Sequence, residues 1–340
     1  MTEAAPPSAV AGLNRSDPRG PGLTRVRTGD GFSYLDVTGG VADPRTVTRI
    51  RALAIPPAWT RVWISPDPLG HIQATGVDRR GRLLYRYHQQ WRERRDEEKF
   101  AHMLRFAAAL PELRATTLRD LRHHGLDRRR VSATAVRLID LGLFRLGGER
   151  YAELDHHYGA ATLEKSHVTI RRDGLRFDYV AKEGKHRTVT VTDSAVRPSV
   201  RALARAENGL SALFGFQDAR AAWHVLHSHD VSSYIAESAG GHFTAKEFRT
   251  WNATVLMALA LAEAGPPGSE RAARSAVNAG VRTVAAWLGD TPTVTRSAYI
   301  DPRLIARYGP AGLAGIPVQP VSLPVGPDVE EAVAALLAGG

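Results

Sequence analysis

The sequence predicts an α+β chain, with a small β-rich N-terminal part followed by a larger, mostly helical part that contains one β-meander. Three observations carry this. Between residues 32 and 88, short β-rich runs such as TRVWIS and GHIQATG alternate with the turn clusters DPLG and DRRG. From residue 89 onward, apolar residues recur at helical spacing. Between 167 and 192 that pattern is interrupted by HVTIRRDG, LRFDYVAKEGKH and RTVTVTD, whose Asp-Gly and Glu-Gly pairs are hairpin-turn signals.

Taken in order, residues 1–30 are rich in Pro, Gly, Ser and charge without a hydrophobic period, and read as a disordered tail. Residues 31–90 read as the β-rich domain, with Pro56 and Pro57 fixing an extended connection inside it. Residues 91–340 form the helical domain. Its first helix covers 91–110, with Phe100, Met103, Leu104, Phe106 and Ala107 in phase, and Pro111 is expected to stop it. A second covers 132–144, with Val136, Ile139 and Leu143 on one stripe. After the β interlude, helices are expected near 195–207, 210–225, 232–239, 244–264, 268–288 and 329–338. A length of 340 residues suits two such domains.

Forty-five Lys and Arg face 35 Asp and Glu, a formal charge of +10, and only five of the 45 are Lys. The excess suits an anionic partner, either nucleic acid or a membrane surface, although Arg over Lys is also a compositional habit of whole proteomes. Zero Cys excludes disulfides, thiolate catalysis and Cys-type metal sites. The longest apolar stretch, 251–262, is well short of the roughly twenty residues a spanning helix needs, and the N-terminus lacks the apolar core of a secretory signal. A soluble, cytoplasmic chain is expected.

Four groups of residues compete to carry chemistry. His224, His227 and His229 have a spacing that, on a helix, brings two imidazoles to one face as a metal site requires; helix-end caps are the simpler reading. Asp155-His156-His157-Tyr158 offers acid–base groups or a structural anchor. In the run from Arg79 to His88, Tyr85 and Tyr87 share one strand face while Arg86 and His88 share the other. Tyrosines interleaved with Arg82 and Arg86 suit nucleic acid, and a half-buried strand with the tyrosines inward is the alternative. The fourth group is scattered: Arg145 after a helix, Lys182 and Lys185 at a β-turn, Lys246 and Arg249 opening a helix, and Tyr299. Singly, each cation reads as a surface ion-pair partner. As a set they supply what phosphodiester transesterification requires: two guanidiniums for the nonbridging oxygens, a Lys proton for the leaving oxygen, and a Tyr nucleophile.

Three stretches make this reading specific: IPPAWTRVWISPDPLGHIQATGVDRRGRLLYRYHQQW (55–91); FRLGGERY (144–151) with YVAKEGK (179–185); and FTAKEFRTWNATV (243–255) with GDTPTVTRSAYIDP (289–302). In this order they resemble the type IB DNA topoisomerases of the compact bacterial and poxvirus kind, over nearly the whole chain after the tail. The resemblance implies a catalytic domain of the tyrosine recombinase/topoisomerase IB type behind a DNA-clamping N-terminal domain. It implies Tyr299 as the nucleophile forming a 3′-phosphotyrosyl link, Arg145 and Arg249 as transition-state arginines, and Lys182 as general acid. Tyr85 and Tyr87, Arg150 with Tyr151, and the neighbouring Arg82, Arg86 and Lys246 are then expected on DNA. Lys246 stands where tyrosine recombinases usually carry His. The family works without ATP, cofactor or obligatory metal, relaxes supercoils of either sign on duplex DNA, and acts as a monomeric clamp, here at the nucleoid. A tyrosine recombinase, or a DNA-binding homologue with weakened catalysis, is the alternative.

One position departs from the family. Nine residues before Tyr299, where His or Asn commonly donates to a nonbridging oxygen, stands Asp290. An ionised carboxylate there repels phosphate and donates nothing, so cleavage slower than in a His- or Asn-bearing relative is expected. The alternative is that Asp290 turns away and caps the following turn.

Overall fold

The computed structural model describes residues 12–339, which divide into two compact units at the junction of residues 100 and 101. The division falls inside a helix. The architecture is α+β: a five-stranded sheet marks the first unit, and helices dominate the second, which carries five further strands.

The first unit is built on a five-stranded antiparallel sheet: β1 (Leu23–Thr28), β2 (Gly31–Leu35), then α1 (Pro44–Ala52), β3 (Thr60–Ile64), β4 (Ile72–Val77) and β5 (Leu83–Tyr87), in spatial order β2-β1-β3-β4-β5. α1 begins at Asp43, whose carboxylate accepts from the N–H groups of Arg45 and Thr46, with Pro44 at the first helical position. The helix lies within the stretch that β-propensity alone presents as strands; the Asp-Pro pair is its sequence signal. Its Ile50 and Val47 join Leu23, Trp59, Val62, Ile64 and Ala74 in one apolar core. Residues 14–28 correct the expectation of a tail through residue 30. Ser16 N–H donates to His71 Nδ1 at 2.9 Å, Trp63 Nε1–H donates to Gly20 O at 3.1 Å, and β1 pairs with both β2 and β3. Only Leu23 of β1 is buried, so no hydrophobic alternation announces the strand; the backbone ladders define it. Residues 1–11 of the expected tail lie outside the described residues.

The chain leaves the sheet through α2 (Gln89–Asp120), which runs through Pro111 rather than stopping there. Pro111 is exposed, so the carbonyl it leaves without an N–H partner sits on the side open to water. Met103, Phe106, Leu110, Leu113 and Thr117 keep the buried stripe in phase across it. The second unit then holds α3 (Arg128–Gly142), α4 (Glu149–Asp155), and a meander of β6 (Val168–Ile170), β7 (Leu175–Ala181) and β8 (Lys185–Val191). It continues with α5 (Arg197–Arg205), β9 (Gly215–Gln217), β10 (Trp223–Val225), α6 (Ser228–Ala239), α7 (Ala245–Ala264), α8 (Glu270–Leu288), α9 (Pro292–Ala298), α10 (Pro302–Arg307) and α11 (Pro327–Ala338).

The β9–β10 hairpin replaces the helix expected over 210–225. The Asp218 carboxylate accepts from the N–H groups of Arg220 and Ala222 and meets His224 Nε2 at 2.9 Å, which closes a turn with Ala221 at φ 60°. α7 is buried on nearly every side and contains the 251–262 apolar stretch, so that stretch is a central core helix. Among the described residues no helix is long and apolar enough to cross a membrane.

Gly76 of β4 faces the Trp59 ring, and a Cβ there would come within 2.6 Å of it. Gly76→Ala is therefore expected to destabilise the N-terminal sheet by about 1–3 kcal/mol through overpacking. Denaturant unfolding followed by tryptophan fluorescence measures it; an unchanged midpoint contradicts this packing.

Candidate active site

Four elements deliver side chains to one point in the second unit. α3 ends where Leu143 adopts φ 51°, and the preceding Gly142 lies so close to the Phe144 ring that a Cβ would meet it at 2.2 Å. Phe144 is buried against Phe177 and Tyr179 of β7, with ring centroids 5.2 and 5.8 Å away. The chain then rises to Arg145. Arg145 and Leu146 accept 2.7 Å hydrogen bonds from the N–H groups of Ala160 and Ala161. Gly159 permits this approach, since its Cβ would fall 2.6 Å from Arg145 O.

Arg249 lies in the second turn of α7, whose start is set by reciprocal Thr244–Glu247 capping. Its guanidinium is 3% exposed and donates through Nη1 to Leu143 O and through Nη2 to Leu288 O at 3.1 Å. α8 ends at Gly289, φ 64°, and Asp290 follows. The Asp290 carboxylate bridges the two arginines: Oδ1 accepts from Arg145 Nη2 at 2.6 Å and Oδ2 from Arg249 Nη2 at 2.7 Å. It does not cap the next helix, because the Thr291 hydroxyl serves as the N-cap of α9.

Tyr299 stands at the end of α9 with its ring centroid 5.0 Å from the Arg249 guanidinium carbon. Its N–H donates to Thr295 O at 3.1 Å, and its carbonyl accepts from the Thr254 hydroxyl of α7 at 3.2 Å, so both faces of the residue's backbone are held. Burial pushes the Arg249 guanidinium below the ordinary arginine range, opposed by the neighbouring Tyr299 and Asp290. Burial likewise raises the Tyr179 phenol, opposed by Arg187, Arg249 and Arg145.

Of the sequence-derived candidates, Arg145, Arg249, Asp290 and Tyr299 meet. Lys182 does not join them: it is exposed on the 3₁₀ turn between β7 and β8 and makes no hydrogen bond to any of the four. Arg150 and Tyr151 lie exposed on α4, and Lys246 is exposed at the start of α7. In the first unit, Tyr85 and Tyr87 are both outward, stacked with centroids 5.8 Å apart, which excludes the inward-tyrosine reading. Arg86 lies on the opposite face, donating to Ala54 O at 3.0 Å, and Arg82 pairs with Asp78 at 2.7 Å. The three histidines are not on one helix face: His224 is in β10, His227 is the cap residue before α6 and His229 is in its first turn. The His224–His227 pair therefore does not share a helix face, although the His227 and His229 rings stack with centroids 5.7 Å apart.

Arg187 and Thr254 escape sequence reasoning. Thr254 reads as one more residue of a core helix. Arg187 reads as an outward charge on RTVTV, yet the register pairs it with Tyr179, on the inward face. That face could have been deduced by carrying the alternation of Phe177 and Tyr179 across the hairpin.

Two guanidiniums converging from separate elements on one oxyanion, beside a tyrosine, have the charge and fork geometry that could hold a phosphate diester. Residues 88–306 match the family model for the catalytic core of eukaryotic DNA topoisomerase I, a span that contains the whole cluster. Residues 31–78 match the model for the N-terminal domain of bacterial DNA topoisomerase IB. The chain belongs to the type IB DNA topoisomerase family. It is similar to a DNA topoisomerase 1B of Acanthamoeba polyphaga mimivirus, 28% identical over 287 residues, covering 82% of this chain and 85% of the relative. Membership makes the chain a DNA-acting isomerase and makes DNA its substrate.

Asp290 fills the space between the two guanidiniums. Asp290→Asn removes the competing negative charge and restores a donor, so single-turnover DNA cleavage is expected to accelerate, on the order of 10²-fold if the amide acts as one oxyanion donor. Rapid-quench kinetics of covalent adduct formation measures this; an unchanged or slower rate overturns it.

Proposed function

We propose that this enzyme relaxes positive and negative supercoils by transient cleavage of one DNA strand through a 3′-phosphotyrosyl intermediate at Tyr299. The observation that carries the reading is the convergence of Arg145 and Arg249 on a single carboxylate, with the Tyr299 ring 5.0 Å from Arg249. In the proposed cycle the scissile phosphate displaces Asp290 from the two guanidiniums. Tyr299 Oη loses its proton to solvent and attacks phosphorus, the P–O5′ bond breaks, and O5′ takes a proton from Lys182, which recovers it when the 5′-hydroxyl religates. The freed strand rotates about its partner, and the 5′-hydroxyl then attacks the phosphotyrosine, releasing Tyr299.

One phosphate diester is exchanged for another of similar free energy, so ATP is not required. The two guanidiniums supply the charge stabilisation that metal ions give at other phosphoryl-transfer sites, so metal is not obligatory. The outward Tyr85–Tyr87 pair with Arg82, and Arg150, Tyr151 and Lys246 of the catalytic unit, would contact duplex DNA, whereas Arg86, on the opposite strand face and bonded to Ala54 O, would not share that surface. Residues 31–90 and 91–340 would act as a monomeric clamp at the nucleoid, with affinity falling steeply with salt.

A second reading, a DNA-binding homologue with weakened catalysis, draws on one observation: the carboxylate of Asp290 takes up both arginines. Relaxation of supercoiled plasmid in EDTA without ATP separates the two. The expected result is relaxed circles with wild type, none with Tyr299→Phe, and a covalent DNA adduct that only wild type forms. Salt-sensitive DNA binding without relaxation by wild type would favour the second reading. Recombined products in place of relaxed circles would point to a tyrosine recombinase.

A further inference from the structure

Arg187 of β8 is 8% exposed, yet among the described residues no carboxylate pairs with its guanidinium. Its acceptors are backbone carbonyls: Nη1 donates to Leu288 O, and Nη2 to Gly142 O at 2.9 Å and Trp287 O at 2.7 Å. Those carbonyls end α3 and α8, immediately before the residues that lead to Arg145 and Asp290. Gly289 keeps the space open, because a Cβ there would come 2.9 Å from Arg187 Nη1. A buried guanidinium held by three carbonyls is geometrically locked, since its planar fork aims each donor.

The same residue is part of the arm that bears Lys182. Arg187 pairs with Tyr179, and the hairpin continues through Val180–His186 and Ala181–Lys185 to the exposed Lys182–Gly184 turn. Glu183 and Gly184 both have positive φ, 67° and 72°, so the turn's shape is specified locally while its placement depends on the strands below. On the inner face, Phe177 and Tyr179 pack on Phe144, and Arg187 is the inward side chain nearest the turn that hydrogen-bonds to other elements. On the outer edge one backbone bond, Tyr158 N–H to Val180 O at 2.8 Å, ties the same arm.

We infer that Arg187 is a positioning residue that fastens the Lys182 hairpin to the ends of α3 and α8, and so sets where Lys182 meets the leaving oxygen. The inference rests on the reading of Lys182 as proton donor to O5′. Without the three hydrogen bonds, the apolar contacts retain the hairpin while the turn loses its fixed distance from the phosphate. Proton transfer tolerates little displacement, and an error near 1 Å costs ~10²-fold.

The test uses the full-length enzyme and a duplex in which sulfur replaces the bridging O5′ at a mapped cleavage position. On this substrate the P–S bond breaks to release a thiolate, which leaves without a proton. Single-turnover cleavage of the oxygen and sulfur duplexes is measured for wild type, Lys182→Ala, Arg187→Met and Arg187→Lys. Arg187→Met is expected to slow oxygen cleavage ~10²-fold and sulfur cleavage by at most a few-fold. Arg187→Lys keeps a charge but cannot span three carbonyls, and is expected to show the same selectivity with a smaller loss. It also keeps the comparison available if Arg187→Met does not fold. Equal losses on both duplexes, or no loss on either, would overturn the positioning role while Lys182→Ala shows the selective defect. Equal losses in Lys182→Ala itself would instead remove the proton-donor reading beneath it.

Discussion

The ends of α3 and α8 leave backbone carbonyls without intrahelical partners, and these carbonyls meet in the interior of the second unit. Gly142 and Leu143 contribute from one helix, Trp287 and Leu288 from the other. Buried carbonyls need donors, and the negative ends of helix dipoles favour cations. Arg187 and Arg249 meet both needs, with five hydrogen bonds between them. Their cost is evident in the protonation equilibria: burial brings Arg187 down to about 10 and also lowers Arg249. A site with this much buried positive charge beside Arg145 requires an anion.

In this chain Asp290 supplies that anion internally. The carboxylate relieves repulsion between guanidiniums, so the residue that departs from the family pattern has a clear stabilising role in the free enzyme. On the proposed mechanism the same contact opposes function, because the groups that Asp290 holds are those a DNA phosphate would need. Stability of the resting site and readiness for substrate are set against each other through two hydrogen bonds of 2.6 and 2.7 Å. Tyr299 is insulated from this contest, since Thr254 and Thr295 hold its backbone.

The α+β class, the meander and the long core helix were legible because they rest on local signals: alternation, Asp-Gly turns, and apolar residues at helical spacing. The errors have local causes too. β1 carries one buried residue, so pairing with β2 and β3 specifies it. Pro111 lost its usual meaning because it falls on the exposed side of α2. The 210–225 segment has helix-compatible composition, but Asp218 captures the N–H groups that a helix would use.

Residue identity alone determined the chemistry on offer: two arginines, a lysine and a tyrosine in family motifs, and a carboxylate where a neutral donor is usual. Identity also showed that this carboxylate conflicts with phosphate, because charge does not depend on fold. Its direction did depend on fold. Whether Asp290 capped α9 or bridged Arg145 and Arg249 was decided by Thr291 taking the cap and by the Gly289 turn aiming the carboxylate inward. The part played by Arg187 was likewise invisible, since a cation on an alternating strand gains a partner only when hairpin register turns it toward helix ends about 45 and 100 residues away in the chain. Such contacts join backbone carbonyls, which every residue carries and which no sequence motif marks.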